Sequence, residues 1–296
     1  MYYDKNTEVY LNGKWIKATM ATAGLYNQTL HYGNGVFEGI RVYETETGVQ
    51  IFKAEEHFER LLKSAKLMHI NFSMTVTDMI NIAYELLERN GLKNAYIRPL
   101  IFLGENMSLG PVNDAEFFMC AWEWGKYLGD NLQRITVSPY CRPHPKSCHI
   151  EAKTVGHYTN SILASTEAKN RGYDEALLLD VNGCVAEGPG ANFFYEKDGV
   201  LFTSPLGHIL PGITRSTIID LAVNIGIEIR QEFFKIDSIM EADSAFFVGT
   251  AAEVAGIKSI DNYSFPVSWE DSIGFELSRM YQMEVLGKNY KRFELV

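Results

Sequence analysis

Short apolar runs in the second half of the chain are divided by turn dipeptides: ALLLD, then Asn182-Gly183, then CVAEGPGANFFYEK, then Asp198-Gly199 and VLFT. Asn-Gly and Asp-Gly accept the positive backbone angles of a tight hairpin turn, so the runs on either side pair as antiparallel strands. A chain with such a meander must build a sheet and bury it, which excludes an all-helical fold. RITVSPY before the meander reads as a strand, and SAFFVG, TAAEV and AGIKSI after it read as strand, turn and strand. Helices are expected from Thr159 to Arg171, closed by Gly172, and from Gly212-Ile213-Thr214 to a stop at Gly226. A last amphipathic helix carries Ile273, Leu277, Met280 and Tyr281.

The first third has another pattern. EVYL, Asn12-Gly13 and KWI form a hairpin, and GVFEGIRVYE and VQIFK flank a turn at Thr47-Gly48. One helix follows with Phe58, Leu61, Leu62 and Ala65 on its apolar face. A second carries Met79, Ile82, Ala83, Leu86 and Leu87, with Gly91 as its stop. AYIRPLIFL and EFFMCAW then read as apolar strands. The chain has 296 residues, room for two domains of ordinary size. These are a small α/β N-terminal domain over 1–124 and a larger, sheet-rich domain over 134–296. The polar, glycine-containing GKYLGDNLQ over 125–133 is the linker. The fold class is α+β (mixed α/β).

Composition limits the partners. Lys+Arg is 27 and Asp+Glu is 37, a net charge of −10, so nucleic acid and acidic membrane surfaces are not expected. The longest apolar runs, such as FFMCAW, fall far short of a membrane span. MYYDKNTEVYLNG has neither the basic nor the apolar region of a secretion signal, so a cytoplasmic protein is expected. Cys120, Cys141, Cys148 and Cys184 form no C-x-x-C pair and are expected to be reduced thiols, mostly buried. Cys141, His144, Cys148 and His149 lie close together. Their spacing matches no common zinc module, and Pro143 and Pro145 hold the run extended. A metal-dependent hydrolase on that cluster is the reading from a different functional class.

Several segments bear on chemistry. In LPGITRSTII a helix opens with Gly-Ile-Thr, whose free N–H groups and positive dipole end could hold a phosphate; an ordinary cap would look the same. VGTAAEV is a second small-residue turn, with Thr250 at its tip. In EGPGANFF, Glu187 ends a strand beside glycines that let the backbone approach a ligand; the alternative is an exposed glutamate beside a bulge. Lys153, between a strand and a helix, is not distinguished by spacing from a surface lysine. Taken together, a lysine, a phosphate-like helix start, a glutamate in a glycine turn and a nearby tyrosine are the parts of a pyridoxal-phosphate site.

HYGNGVFEGIR, AYIRPLIF, WGKYLG, EAKTVGHYTNS, EGPGANFF, LPGITR and GTAAEV occur in the order seen in branched-chain amino-acid aminotransferases, which this chain resembles from about Tyr10 to Ser259. The resemblance implies a two-lobed fold type IV pyridoxal-phosphate enzyme, with a small α/β N-terminal lobe and a larger pseudo-barrel C-terminal lobe. It implies pyridoxal 5'-phosphate held as a Schiff base by Lys153, which also shuttles a proton. Tyr158 would meet the phenolate oxygen and Glu187 the ring nitrogen. Ile213, Thr214, Thr250 and Arg60 would hold the phosphate, and Gly190, Asn192 and Leu210 would complete the cofactor's surroundings. Helical periodicity sets Arg60 opposite the Phe58/Leu61/Leu62 face, where it reads as solvated.

The same resemblance assigns Phe37, Gly39, Tyr96, Tyr127 and Ala251 to an apolar substrate pocket. Tyr96 and the Thr250–Ala251–Ala252 turn would hold the α-carboxylate, and Arg98 the distal carboxylate of glutamate. The alternative for Arg98 is a structural ion pair, and Pro99 after it suggests an edge strand. Tyr32 and Leu109 would reach into a neighbouring subunit's pocket, so a homodimer or an assembly of dimers is expected. The substrates would be amino acids and 2-oxo acids, exchanged between leucine, isoleucine or valine and 2-oxoglutarate. Thr154-Val155-Gly156-His157 departs from the small Gly/Asn residues usual between the lysine and the tyrosine. The nearest rivals are a D-amino-acid or (R)-amine aminotransferase and an aminodeoxychorismate lyase, against which YIRP and GTAAE argue.

Overall fold

In the computed structural model the described residues are 2–110, 115–125, 127–129 and 131–288. The first half holds strands β1 (Glu8–Leu11), β2 (Lys14–Lys17), β3 (Gly35–Phe37), β4 (Ile40–Thr45), β5 (Gly48–Ile51), β6 (Ala95–Leu103) and β7 (Ala115–Trp122). Its helices are α1 (Gln28–Tyr32), α2 (Ala54–Leu67) and α3 (Val76–Asn90). The strands form one sheet in the order β2-β1-β7-β6-β4-β5, with β3 also on β6. Asn12 and Gly13 both have positive φ, as the first hairpin demands. The apolar faces of α2 and α3 pack on the sheet through Phe58, Leu61, Met79 and Leu86, all fully buried.

Pro99 does not mark an edge. β6 lies inside the sheet, paired with β7 on one side and with β3 and β4 on the other. Pro99 falls where β3 gives way to β4, opposite Glu38 and Gly39, and only its carbonyl is called on: it accepts from the Glu38 N–H at 3.0 Å. The break supplies the tolerance that an edge would have.

The second half holds β8 (Gln133–Cys141), α4 (Tyr158–Asn170), β9 (Glu175–Leu179), β10 (Val185–Glu187), β11 (Asn192–Lys197), β12 (Val200–Thr203), α5 (Ile213–Asn224) and β13 (Ile229–Gln231). After these come α6 (Ile236–Ile239), β14 (Ser244–Gly249), β15 (Glu253–Ile260), β16 (Tyr263–Ser264) and α7 (Ile273–Val285). The path β10-β9-β8-β15-β14-β11 returns on itself, because β10 also pairs with β11 through Glu187 and Asn192. The sheet therefore closes into a barrel. Its strands are buried on both faces: Phe193 and Phe247 belong to one core, while Phe194 and Phe246 pack with α5 and α7 in another. Double burial explains runs too apolar to alternate.

Asp198 and Gly199 form a positive-φ pair, but at Asn182-Gly183 only the glycine is left-handed. That loop is wider, and Asp180 fixes it by accepting from the Asn182 and Cys184 N–H groups. The cysteines also differ from expectation: Cys141 is exposed and the other three are half-buried, all with free thiols. Cys141 and Cys148 lie on and just after the outer end of β8, where the chain leaves the barrel core. Among the described residues no helix is long and apolar enough to cross a membrane.

The two halves meet at a glycine contact. Gly156 N–H donates to Gly33 O at 3.0 Å, joining the end of α1 to the segment after Lys153. Gly33 has φ +69°, and a Cβ there would stand 2.7 Å from Gly156 Cα. Backbone strain and overpacking together make Gly33→Ala cost about 2–4 kcal/mol. Urea unfolding is the check: the midpoint falls with the m-value unchanged, and an unaltered midpoint would show that the contact bears no load.

Candidate active site

The seam that closes the barrel also places a charge. Glu187 ends β10 and is 3% exposed. Its carboxylate takes an ion pair from Arg142 Nη2 at 2.6 Å, a hydrogen bond from Asn192 Nδ2 at 2.9 Å and the Leu210 N–H at 3.3 Å. Asn192 Nδ2 also donates to Leu210 O at 3.0 Å, tying the barrel seam to the loop before α5. Burial raises the Glu187 pKa above its ordinary value, although Arg142 and the Leu210 N–H oppose it. The alternative of an exposed glutamate beside a bulge is overturned.

Lys153 lies on the connection from β8 to α4. Its Nζ is 2.9 Å from the Tyr158 hydroxyl at the start of α4, and Phe37 packs edge-on against Tyr158 at 4.8 Å. The lysine backbone is held from the other half: its N–H donates to Ser64 Oγ, and its carbonyl accepts from the Phe37 N–H, both at 3.1 Å. The loop through Leu210 leads into α5, with Gly212 as its cap residue. A Cβ at Gly212 would come within 2.0 Å of Asn192 Oδ1, so the approach needs glycine. The first-turn N–H groups of Ile213 and Thr214 have no acceptor within the helix. The Thr214 hydroxyl meets that of Tyr281.

Arg60 is not solvated. It is buried, with Nε and Nη2 on Glu38 at 2.6 and 2.8 Å and Nη1 on Pro211 O at 2.8 Å. Helix α2 has two buried stripes, an apolar one on the sheet and a polar one of His57, Arg60 and Ser64, spaced i, i+3, i+7, that faces the barrel. Apolar periodicity detects only the first.

One cavity is lined by Arg60, Lys153, Tyr158, Glu187, Gly190, Asn192, Leu210, Ile213, Thr214 and Thr250, together with Arg142. It adjoins a second cavity of about 280 Å³, walled by Phe37, Gly39, Tyr96, Arg98, Trp124, Tyr127 and Ala251. Lys153, Tyr158, Gly190 and Thr250 border both. Gly39 is fixed by its neighbour, since a Cβ there would overlap the Tyr96 hydroxyl at 1.6 Å. Arg98 lies 4.8 Å over the Phe37 ring and 5.4 Å over Tyr96. Among the described residues it has no carboxylate partner, and its Nε is buried without an acceptor. The structural ion pair is therefore absent there. Ala252 is buried behind the turn, while Tyr32 and Leu109 lie outside both cavities, 46% and 89% exposed.

Sequence reasoning missed three charged residues here. Arg142 follows β8 with no motif to mark it. Glu38 and Arg41 stand in GVFEGIR without a reading of their own. Arg41 holds the Thr250–Ala251 turn in place: Nε and Nη2 donate to the carbonyls of Thr250 and Ala251 at 3.3 and 2.8 Å, and Nη1 to Trp124 O at 2.6 Å. Among the described residues no three His, Cys, Asp or Glu side chains are grouped to hold a metal, so the Cys141/His144/Cys148/His149 reading is not favoured.

The model of the amino-transferase class IV family matches residues 35–260. The branched-chain-amino-acid aminotransferase of Escherichia coli K12 is 39% identical over 261 residues, covering 86% of this chain and 84% of its own. The structure of a branched-chain aminotransferase from Thermoproteus uzoniensis with norvaline superposes with TM-score 0.92 at 37% identity, over 96% of both chains. The T.th. branched-chain amino acid aminotransferase complexed with N-(5'-phosphopyridoxyl)-L-glutamate gives 0.89 at 36% identity, again over 96% of each.

Removing Arg142 isolates the Glu187 charge. A carboxyl whose folded pKa is raised favours folding most below its unfolded pKa of about 4.3, and that advantage is lost as pH rises through the folded pKa. Arg142 limits the loss. Arg142→Ala should therefore cost about 3–5 kcal/mol at pH 8 and less at pH 5, because losing the guanidinium raises the Glu187 pKa further and eases its protonation as pH falls. Denaturant melts at the two pH values decide it; equal losses would mean that Glu187 is not the responding group.

Proposed function

The chain belongs to the amino-transferase class IV family, alongside the branched-chain-amino-acid aminotransferases, and from that premise we propose that it carries amino groups between leucine, isoleucine or valine and 2-oxoglutarate. The products are branched-chain 2-oxo acids and L-glutamate, formed in two alternating half-reactions. The observation that carries the reading is Lys153 at the junction of two cavities, one lined by a buried carboxylate and a helix start, the other by an arginine that has no carboxylate partner among the described residues.

The donor set fits pyridoxal 5'-phosphate: a carboxylate that can face a ring nitrogen, a tyrosine hydroxyl and an amine beside it, and a phosphate-sized group of N–H donors. Bound there, the cofactor supplies an electron sink for the charge left when a substrate loses its Cα proton. Lys153 would anchor it and, once released, carry that proton. Tyr158 would hold the lysine amine and the cofactor's phenolate oxygen in one geometry. Glu187, with Arg142 opposing its protonation, would hold a proton on the ring nitrogen. Ile213, Thr214, Thr250 and Arg60 would bind the phosphate, while Gly190, Asn192 and Leu210 shape the seat. Tyr96 and the Thr250–Ala252 turn would orient the α-carboxylate. Phe37, Gly39, Tyr127 and Ala251 would keep water from an aliphatic side chain.

Unpaired thiols are in keeping with a reducing, cytoplasmic setting. We also read the active unit as a homodimer or an assembly of dimers. Leu25, Tyr26 and Leu30 are 65–77% exposed beside a groove lined by Leu11, Leu100, Phe102 and Phe118, an apolar face that a second copy would cover. Tyr32 and Leu109 lie free of their own cavities and would complete the neighbour's. Light scattering on active protein should give at least twice the chain mass, and an active monomer would refute the shared site.

The two substrates make opposite demands. An apolar pocket suits leucine, whereas a buried distal carboxylate needs paired donors. Arg98 can supply them with its planar fork. Arg98→Leu should damage the glutamate/2-oxoglutarate half far more than the leucine half, by about 2–4 kcal/mol, or roughly 30- to 1000-fold in kcat/KM. Single-turnover rates with each amino acid separate the halves. Equal loss in both would show that Arg98 supports the pocket without reading the carboxylate.

A further inference from the structure

The cavity's cationic end is organised by a cluster that no step of the reaction uses. Glu38 is fully buried at the break between β3 and β4, with Phe37 and Gly39 of the second cavity on either side. Its Oε1 accepts from Arg60 Nε at 2.6 Å. Its Oε2 accepts from Arg60 Nη2 at 2.8 Å and Gly39 N–H at 3.3 Å, and lies 2.8 Å from His57 Nδ1. Burial alone would raise the Glu38 pKa, but Arg60 and His57 outweigh it and hold the carboxyl well below its ordinary value. A guanidinium has five N–H groups. Among the described residues, three of those on Arg60 are engaged, two by Glu38 and one by Pro211 O, which leaves two for a ligand in the cavity that Arg60 lines with Ile213 and Thr214.

We propose that Glu38, steadied by His57, is a positioning residue that locks Arg60 in the one orientation from which it can grip the phosphate of pyridoxal phosphate. The inference rests on reading this cavity as the cofactor seat. Arginine is a long, flexible side chain, and a bidentate carboxylate removes that freedom before the ligand arrives. Glu38 also cancels the Arg60 charge, so the seat works by direction: two aimed N–H groups and the start of α5 replace a bare positive field. His57 supports the carboxylate without touching the cavity.

The test compares two ligands that differ only in the phosphate. Cofactor-free full-length protein is titrated with pyridoxal phosphate and with pyridoxal, followed by tryptophan fluorescence. Glu38→Asp keeps the charge but draws the carboxylate back by one methylene. It should weaken pyridoxal phosphate about tenfold while leaving pyridoxal within about twofold. Arg60→Ala should weaken pyridoxal phosphate at least as much, and adding Glu38→Asp to it should cost nothing more. Equal weakening of both ligands, or additive losses in the double variant, would overturn the positioning role. An Arg60→Ala variant with an unchanged ratio of the two affinities would refute the seat itself, and the proposal with it. If Glu38→Asp fails to fold, His57 reads the same link: His57→Ala should lose phosphate affinity, and His57→Asn, which keeps a donor near the place of Nδ1, should recover it. Failure of that recovery also overturns the role.

Discussion

A buried carboxylate is tolerable only where the fold brings donors to it, and Glu187 draws them from separate places in the chain. Arg142 comes from the end of β8, Asn192 from the next strand of the seam, and the Leu210 N–H from the loop before α5. The same contacts close the barrel, since Glu187 and Asn192 are the pair that joins β10 to β11. Closure and charge placement are thus one event. A barrel shut at this seam lines one cavity with a buried carboxylate, a helix start and Lys153, which lies on the connection from β8 to α4.

The first half of the chain supplies the clamps. Arg41 fixes the carbonyls of Thr250 and Ala251, Ser64 holds the Lys153 N–H, and Arg60 bridges Glu38 to Pro211. Each contact crosses between the two sheets and ends on backbone, so each sets the position of a loop. The second cavity lies between the sheets for the same reason. One of its walls, Phe37–Gly39–Tyr96–Arg98, comes from the first sheet, and the turn at Thr250 comes from the barrel.

Much of this was legible in the sequence, because turn chemistry and burial on two faces are local signals. Asn12-Gly13 and Asp198-Gly199 adopt the backbone angles their residue types favour, and α4 and α5 each end two residues before the glycine expected to stop them, Gly172 and Gly226. What was not legible is long-range and polar. Apolar periodicity sets Arg60 aside as solvated because it scores only the sheet-facing stripe of α2; the second stripe is buried by a loop about 150 residues away. Pro99 suggests an edge because the break opposite it, at Glu38–Gly39, has no sequence signature. Arg142 carries no signal, since its partner is identified only when the barrel closes. Tyr32 and Leu109 have no place in the cavities of a single chain, so a single chain gives them no role to read.

The account turns on one atom, Lys153 Nζ, as the amine that anchors the cofactor. Borohydride reduction of the purified, cofactor-loaded protein would fix that bond permanently, and peptide mass mapping would then locate it. The account predicts a pyridoxyl-phosphate adduct on the peptide carrying Lys153 and on no other lysine. An adduct on a different lysine, or none at all on protein shown to hold the cofactor, would contradict it.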